Sequence, residues 1–509
     1  MMMKASGFIT IILILLITVK LTAQGGFIKS FENFSNFSES LIDIIPVGDT
    51  ILGVGLVQND TVPYEFGLLL VAFDTLGNVL YYNNLFLTTP NSCFFQPPSK
   101  IINLINGNYA ITGGVFSSPL KIYYLEFDKY CNKVNYYEYI DVEADFFSSN
   151  NIIQINSGFL MFGTINYLND KKNDIFIKKI DNAGDEQWTR YYGESLHDEF
   201  FLSAKLISSN SILVGAERNY HSTPSDLADW YKSWFFVIDT LSYVSSSFET
   251  NESEKEVGPI SMYLDSSKNI TYVSQTYTHI SNDDIRIFPL LVRRDSSFNV
   301  IWKRVIGDGT INAPNVFHQI IPDKYDSGWL MVGETAKFSS INAGYGEVCL
   351  WIQKVNQLGD SIWERKDTVY WSQQGTFQNS ASGIFQTSTG SIYACGYNTQ
   401  YLPSPNVRAT LLKVNQHGCI QDNCNSVKST EPEQIETIKI YPNPTTGVIE
   451  FGDLDFYKIL IYNASNDLMY EGGKQRSIDL STFTDGLYIL VFYCNGNVST
   501  QKIMKIDMN

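Results

Sequence analysis

Histidine, clustered basic residues and paired cysteine motifs are all scarce in this chain, and each shortage excludes a class of function. Five His in 509 residues leave few groups that change charge near neutral pH and few neutral imidazoles for a metal. Lys and Arg total 36 against 53 Asp and Glu, a net charge of −17, and nowhere do they form a run of five. A phosphate backbone is held by concentrated Lys and Arg, so no nucleic-acid partner is expected. The seven Cys include no C-x-x-C, which removes both a thioredoxin-like motif and a zinc ribbon. No G-x-S-x-G elbow, H-E-x-x-H helix, Walker A loop or EF-hand ladder occurs. No cofactor and no metal site is therefore expected.

What is present is apolar and aromatic. Hydrophobic residues make up 44% and charged residues 17%, the balance of a folded chain and not of a disordered one. The 31 Tyr, 32 Phe and 35 Gly suit many strands separated by turns. The longest apolar run, Phe8 to Val19, follows Lys4 and precedes Leu21-Thr22-Ala23. As a helix it would span about 18 Å, short of a bilayer core of about 30 Å. It reads as a cleaved export signal over residues 1–23, and no other stretch is long and apolar enough to span a membrane. All seven Cys lie beyond it, in a chain that leaves the reducing cytosol. Cys419 and Cys424 could close a small loop. The pairs Cys93 with Cys131 and Cys349 with Cys395 are permitted by the layout, and an odd thiol remains.

Between the ends lies a repeat. One copy runs Ser157-Gly158-Phe159-Leu160-Met161-Phe162-Gly163, then a strand ending at Asp181, then Asn182-Ala183-Gly184 and a strand containing Trp188. With the Asp or Asn closing the third strand as marker, the series is Asp74, Asp128, Asp181, Asp239, Asp295, Asn356 and Asn415. That gives about seven repeats of 53–61 residues. Each reads as four strands, with Asp-x-x-Gly turn chemistry between the last two. An aromatic recurs seven residues past the marker (Tyr81, Trp188, Trp302, Trp363), with Ser246 in that place in the fourth unit, and its recurrence points to packing between repeats. The last unit lacks an outer strand, while Gly26 to Phe31 precedes the first complete unit. The N-terminal strand can therefore complete the last blade, as in a closed β-propeller. The fold expected is all-β: a seven-bladed propeller over 24–425, a linker over 426–437, and a small Ig-like β-sandwich over 438–509.

The C-terminal segment carries the most specific motifs. Tyr441-Pro442-Asn443-Pro444-Thr445-Thr446-Gly447 is followed by Gly486-Leu487-Tyr488 and a closing Lys502-Ile503-Met504-Lys505-Ile506. These residues resemble the type A C-terminal sorting domain of the type IX secretion system in Bacteroidota. The resemblance implies a partnership with that secretion machinery, passage across the outer membrane, and release or attachment at the cell surface. The repeats are similar to other secreted Bacteroidota propellers, an architecture whose activities vary.

Candidate ligand contacts are few. His221, Asp226, Asp229, Trp230, Tyr231 and Trp234 fall in a long insertion from Asn219 to Trp234, an aromatic-plus-carboxylate loop of the kind that stacks on and hydrogen-bonds a sugar. A segment packing its aromatics on the blade below is the competing explanation. Tyr277 to Asp284 offers Asp283 and Asp284 on a second loop, and His197 and His417 read as solvated. A sialidase would need converging arginines, for which Arg218, Arg286, Arg293, Arg294, Arg304 and Arg365 are available. With no catalytic constellation in view, the first reading is a non-catalytic module that binds a glycan or a protein. The alternative is a carbohydrate-active hydrolase or lyase with its site on one propeller face. Deletion of residues 438–509 is predicted to leave the protein in the periplasm, measured by cell fractionation; secretion of the truncated chain would refute the sorting assignment.

Overall fold

The structure, a computed structural model, describes residues 25–31, 37–59, 66–86, 92–94, 100–117, 119–167, 172–194, 197–220, 230–241, 243–251, 256–279, 285–307, 310–311, 314–336, 348–369, 377–400, 406–420, 440–451, 456–463, 468–494 and 497–506. The expected signal segment, the linker, Cys424, and His221, Asp226, Asp229, Asp283 and Asp284 lie outside them. The chain divides into two units, Met1–Ser429 and Thr430–Asn509.

In the first unit, hairpin after hairpin builds antiparallel blades in sequence order, and one parallel bridge, Val348 to Gln378, joins blades six and seven into a single eight-stranded sheet. Blade one holds Phe37–Val47, Thr50–Asn59, Phe66–Asp74 and Val79–Leu85. Blade three holds Ala144–Ile155, Gly158–Tyr167, Asn173–Ile180 and Glu186–Tyr192, and blade four His197–Ser208, Ser211–Tyr220, Trp230–Asp239 and Val244–Glu249. Blade two splits its inner strand into Ser92–Phe94 and Ile102–Asn103. Blades five and six start at Ser261–Leu264 and Asn315–Pro322. Blade seven supplies Phe377–Gln386, Ile392–Gln400 and Asn406–Val414, and its fourth strand is Phe27–Ser30 from the other end of the unit. Phe27 pairs with Lys413 and Ile28 with Leu412. The Gly26 N–H donates to Ile420 O at 2.6 Å and the Phe31 N–H to Ala409 O at 2.9 Å. Seven blades and closure by the N-terminal strand agree with the repeat count.

A blade has two apolar faces and no core of its own, so burial must come from its neighbours. Seven separate clusters of buried side chains result, one at each blade-to-blade interface. Blades one and two share Leu70 and Tyr123, blades three and four Ile177 and Phe236, and blades seven and one Leu411 and Val71. The remaining four clusters join blades two to three, four to five, five to six and six to seven. The last interface therefore closes a ring.

The marker residue works locally. Asp74 Oδ1 accepts from the backbone N–H groups of Leu76 and Asn78 at 2.9 and 2.8 Å. Asp128, Asp181, Asp239, Asp295, Asn356 and Asn415 repeat the same pair of bonds two and four residues on. The turn then meets the aromatic of the preceding blade. Gly418, at φ +78°, lies so close over Trp363 that a Cβ there would come within 2.9 Å of the ring. Trp363 is 1% exposed and donates its indole N–H to Gln416 O at 3.2 Å. Phe27 fills this place for the last blade, facing the turn at Gly77.

Two blades depart from the sequence pattern. Asn135 and Ser246 occupy the aromatic position, pairing with Glu126 and Val237, and the aromatic stands two residues farther along on the same strand face. Tyr137 lies under Gly184, and Phe248 stacks on Phe298 with centroids 5.0 Å apart. Where glycine is missing, Cys131 and Phe298 accept the positive φ of the turn, at 66° and 65°. Cys131, Cys349 and Cys395 are buried thiols outside any disulfide, which corrects the pairings allowed for them above. Cys419 is disulfide-bonded.

The second unit is a sandwich of two sheets, three strands against four, around Ile449, Ile461, Tyr488, Leu490 and Ile503. Replacing Trp363 by Ala should cost about 3–5 kcal/mol. The half-exposed Trp188, at the next blade-three interface, should cost less. Urea unfolding of the two variants checks the order, and equal losses would contradict the turn-over-ring account.

Candidate functional site

Up-and-down strands place both turns of every blade at one end of the propeller. The second-to-third connections and the blade-to-blade connections lie at the other end. The second strand of blade four therefore ends at Tyr220, and the third begins at Trp230, on the connection-bearing rim. Trp230 begins the third strand, paired with Tyr220. Tyr231 is half-buried and meets Tyr277 of blade five edge to face, with centroids 6.1 Å apart. The described strand ends next to two stretches chosen separately from the sequence thus meet across a blade interface.

Trp234 has a different role from the one expected of it. It is 9% exposed, packs against Phe236 at 4.5 Å, and donates its indole N–H to Ser247 Oγ at 2.8 Å. Arg218 lies over its ring at 4.1 Å. Trp234 therefore packs into the interface of blades three and four. The Arg218 guanidinium in turn gathers three carboxylates: Glu199 at 3.0 Å, Glu194 at 3.2 Å and Glu249 at 2.9 Å. Lys232 joins Glu249 at 3.2 Å. His197, read as solvated, begins the inner strand of blade four, is half-buried, and stands 3.7 Å from Glu194. Burial and then Arg218 hold its imidazole below the usual range, against Glu194.

Burial sets Glu199 apart from the other two carboxylates. Glu199 is fully buried, and burial pushes its carboxyl up to about 7, with Arg218 opposing and Asp174 assisting. The other arginines are dispersed. Arg293 pairs with Asp265 at 2.7 Å, Arg294 with Glu256 at 3.0 Å, Arg304 with Asp360 at 3.3 Å, and Arg365 with Asp367 at 2.8 Å. These pairs lie in blades five and six, and Arg218 in blade four, and each of these arginines already meets a carboxylate of the chain. Arg294 and Glu256 belong to a buried inter-blade network in which Tyr272 donates to Glu256 at 2.6 Å and Lys303 lies 3.1 Å from Glu256.

Sequence reasoning missed the polar residues around the propeller axis, which come from the inner strands. Asp43, Lys100, Lys205 and His318 belong to blades one, two, four and six. In five blades the inner strand carries a bulge. The facing second-strand residue is a glycine in several of them: a Cβ on Gly333 would stand 1.8 Å from Val316 O. Such glycines are visible in the sequence, but the bulge that turns His318 aside is a matter of register. Higher up, half-buried Glu217 packs on Gly258, and burial alone pushes its carboxyl up to about 8.

In the C-terminal unit the order of the motifs has a physical basis. The Asn443 side-chain N–H donates to Lys502 O at 2.9 Å, and its Oδ1 accepts from the Met504 N–H at 3.1 Å. The Thr445 N–H donates to Met504 O and the Ile506 N–H to Thr445 O. The turn from Tyr441 to Gly447 is thus fastened to the final strand. Pro442, Pro444 and Lys502 are exposed, while Tyr488 is buried and donates to Thr484 O at 2.8 Å. Gly486 pairs with Lys505, whose buried ammonium reaches Asp485 at 3.4 Å.

These observations define an exported β-propeller with a separate β-sandwich tail. The tail is a secretion system C-terminal sorting domain: residues 439–506 match that family, which places the protein among type IX secretion cargo, secreted or held at the outer-membrane surface. No curated protein matches the chain in sequence. Among solved structures, a protein of unknown function from Dyadobacter fermentans is similar at 9% identity, covering 76% of this chain and 98% of its own, with a TM-score of 0.41. A PL25 ulvan lyase is similar at 9% identity, covering 79% and 100%, at 0.47. The GH93 alpha-L-arabinofuranosidase of Fusarium graminearum gives 12%, 65% and 99%, at 0.39. Likenesses this loose bear on no chemistry. No helix among the described residues is long and apolar enough to cross a membrane.

A carboxyl with a raised folded-state value adds stability that is complete below its unfolded value, near 4.5, and is lost as pH rises through about 7. Glu199→Gln removes that dependence. The variant should gain about 1–3 kcal/mol on the parent between pH 5 and pH 8, read from urea midpoints. A constant difference across that range would show that Glu199 is ionised throughout.

Proposed function

We propose that the propeller is a non-catalytic binding module, delivered to the cell surface by its sorting domain, that holds a glycan on the rim of blades four and five. The observation that carries this is the Tyr231–Tyr277 pair, two half-buried rings from adjacent blades beside the two insertions. Aromatic rings with a polar edge give a sugar an apolar face to stack on and hydroxyls to bond. The salt-bridged cluster of Arg218, Glu194, Glu249 and Lys232 stiffens the same strand end from its other face, which lowers the ordering cost of binding. His221, Asp226, Asp229 and Trp230 remain the proposed polar and aromatic contacts, with Trp234 packed into the interface of blades three and four.

A second reading, a carbohydrate-active hydrolase or lyase, has Glu217 in its favour. A carboxyl held protonated near neutral pH is what a general acid requires. A glycan panel with product analysis separates the two readings. Saturable binding without product is expected, with affinity falling about tenfold or more in Tyr231→Ala and Tyr277→Ala and an unchanged thermal midpoint. Product formation that disappears in Glu217→Gln would replace the binding reading with the enzymatic one.

A further inference from the structure

The axis of the propeller holds cationic groups that the ion pairs of the blades do not neutralise. Asp43 sits just past the bulge of the first inner strand with its side chain 3% exposed. Its Oδ2 accepts from the Ile101 N–H at 2.8 Å, and its Oδ1 stands 3.9 Å from Lys100 Nζ. Lys205 projects from the inner strand of blade four and lies within electrostatic reach of both Lys100 and Asp43. Blade four does not border blade one or two, so these side chains approach one another only across the channel. His318 is the extra residue at the bulge in blade six, within reach of Lys100 and Glu334.

Lys100, Lys205 and His318 are all half-buried, so water and small solutes reach them. Two ammonium groups share one carboxylate there, and among the described residues Lys205 has no carboxylate at salt-bridge distance. An enclosed ammonium without its own counterion is costly. Accordingly, burial, then Lys100, push Lys205 down to about 8 against the pull of Asp43. Burial pushes the His318 imidazole below its ordinary value, and a neutral imidazole donates one hydrogen bond. In a chain of net charge −17, two lysines sharing one aspartate stand out.

We propose that Lys100 and Lys205, with His318 beside them, form an anion site in the channel that takes a singly charged oxyanion, the carboxylate or sulfate ester of an acidic saccharide. The two carboxylates nearby, Asp43 beside Lys100 and Glu334 beside His318, disfavour a dianion such as a phosphate monoester, so a monoanion is the better match for the two lysines. A charge-assisted contact from each ammonium supplies the affinity. This site is distinct from the tyrosine rim and does not depend on it.

Calorimetry on the full-length secreted protein tests it with three probes: a galacturonate trimer, a sulfated trisaccharide and a neutral trisaccharide. One or both anionic probes should bind, more weakly as salt rises, with the two acidic probes telling carboxylate from sulfate. Lys205→Met should weaken that binding about tenfold or more without lowering the thermal midpoint, because it removes an ammonium that lacks its own partner. Lys100→Met should show the same loss, and Tyr231→Ala should leave anion affinity unchanged. Failure of both anionic probes to bind, or equal affinity in Lys205→Met and the parent, would overturn the proposal.

Discussion

The pairing of Phe27–Ser30 with Asn406–Val414 is the constraint on which the propeller depends. Each blade buries its faces only against neighbours, so seven blades left open would expose one whole face at either end. Closure supplies more than a strand ladder. Phe27 and Phe31 pack into the interface of blades seven and one, and Ile28 packs into the interface of blades six and seven. Lys29 reaches Asn78 of blade one at 2.9 Å. Two interfaces therefore depend on residues that arrive from the far end of the unit. Such non-local contacts carry a loop-closure cost that only the complete ring offsets.

Much of this was legible because it repeats. Seven Asp or Asn markers, spaced evenly, announce seven turns, and the missing outer strand of the last unit announces closure. Turn capping is a local bond between a side chain and its own backbone, so sequence carries it fully. The aromatic that packs on the next turn was legible in Tyr81, Trp188, Trp302 and Trp363, but not in Tyr137 or Phe248. A strand returns to the same face every two residues, so the ring can shift by two and still reach its neighbour. Asn135 then takes the vacated position and donates to Glu126 at 2.7 Å. The residues of the channel were not legible. Which way His318 or Lys205 points depends on a bulge that shifts register by one, and a single-residue shift exchanges the two faces of a strand.

Trp234 shows a related limit. An aromatic at the end of an insertion looks the same in sequence whether it faces a ligand or a blade. The deciding factor is Arg218, sixteen positions back but directly across the hairpin, where Ala216 pairs with Trp234 and Arg218 with Lys232. The guanidinium covers the ring and at the same time draws in carboxylates from three strands or connections. Removing such a residue would strand several buried charges at once, which makes the rim stiff. Tyr231, three positions earlier on the same strand, lies on its other face and meets Tyr277.

The distribution of charge separates structural groups from available ones. Arg218, Arg293, Arg294, Arg304 and Arg365 all lie against carboxylates within 3.3 Å, holding strands or turns together. Arginine suits that task because its planar fork meets a carboxylate at fixed geometry and sheds water more readily than an ammonium. The lysines at the axis contrast with it: flexible, more strongly hydrated, and sharing a single aspartate. A ring of inner strands could have filled its centre with apolar side chains, as the seven interfaces do. That it retains half-buried cations there instead, in an acidic protein, is the strongest physical sign of where a negatively charged ligand would be stabilised.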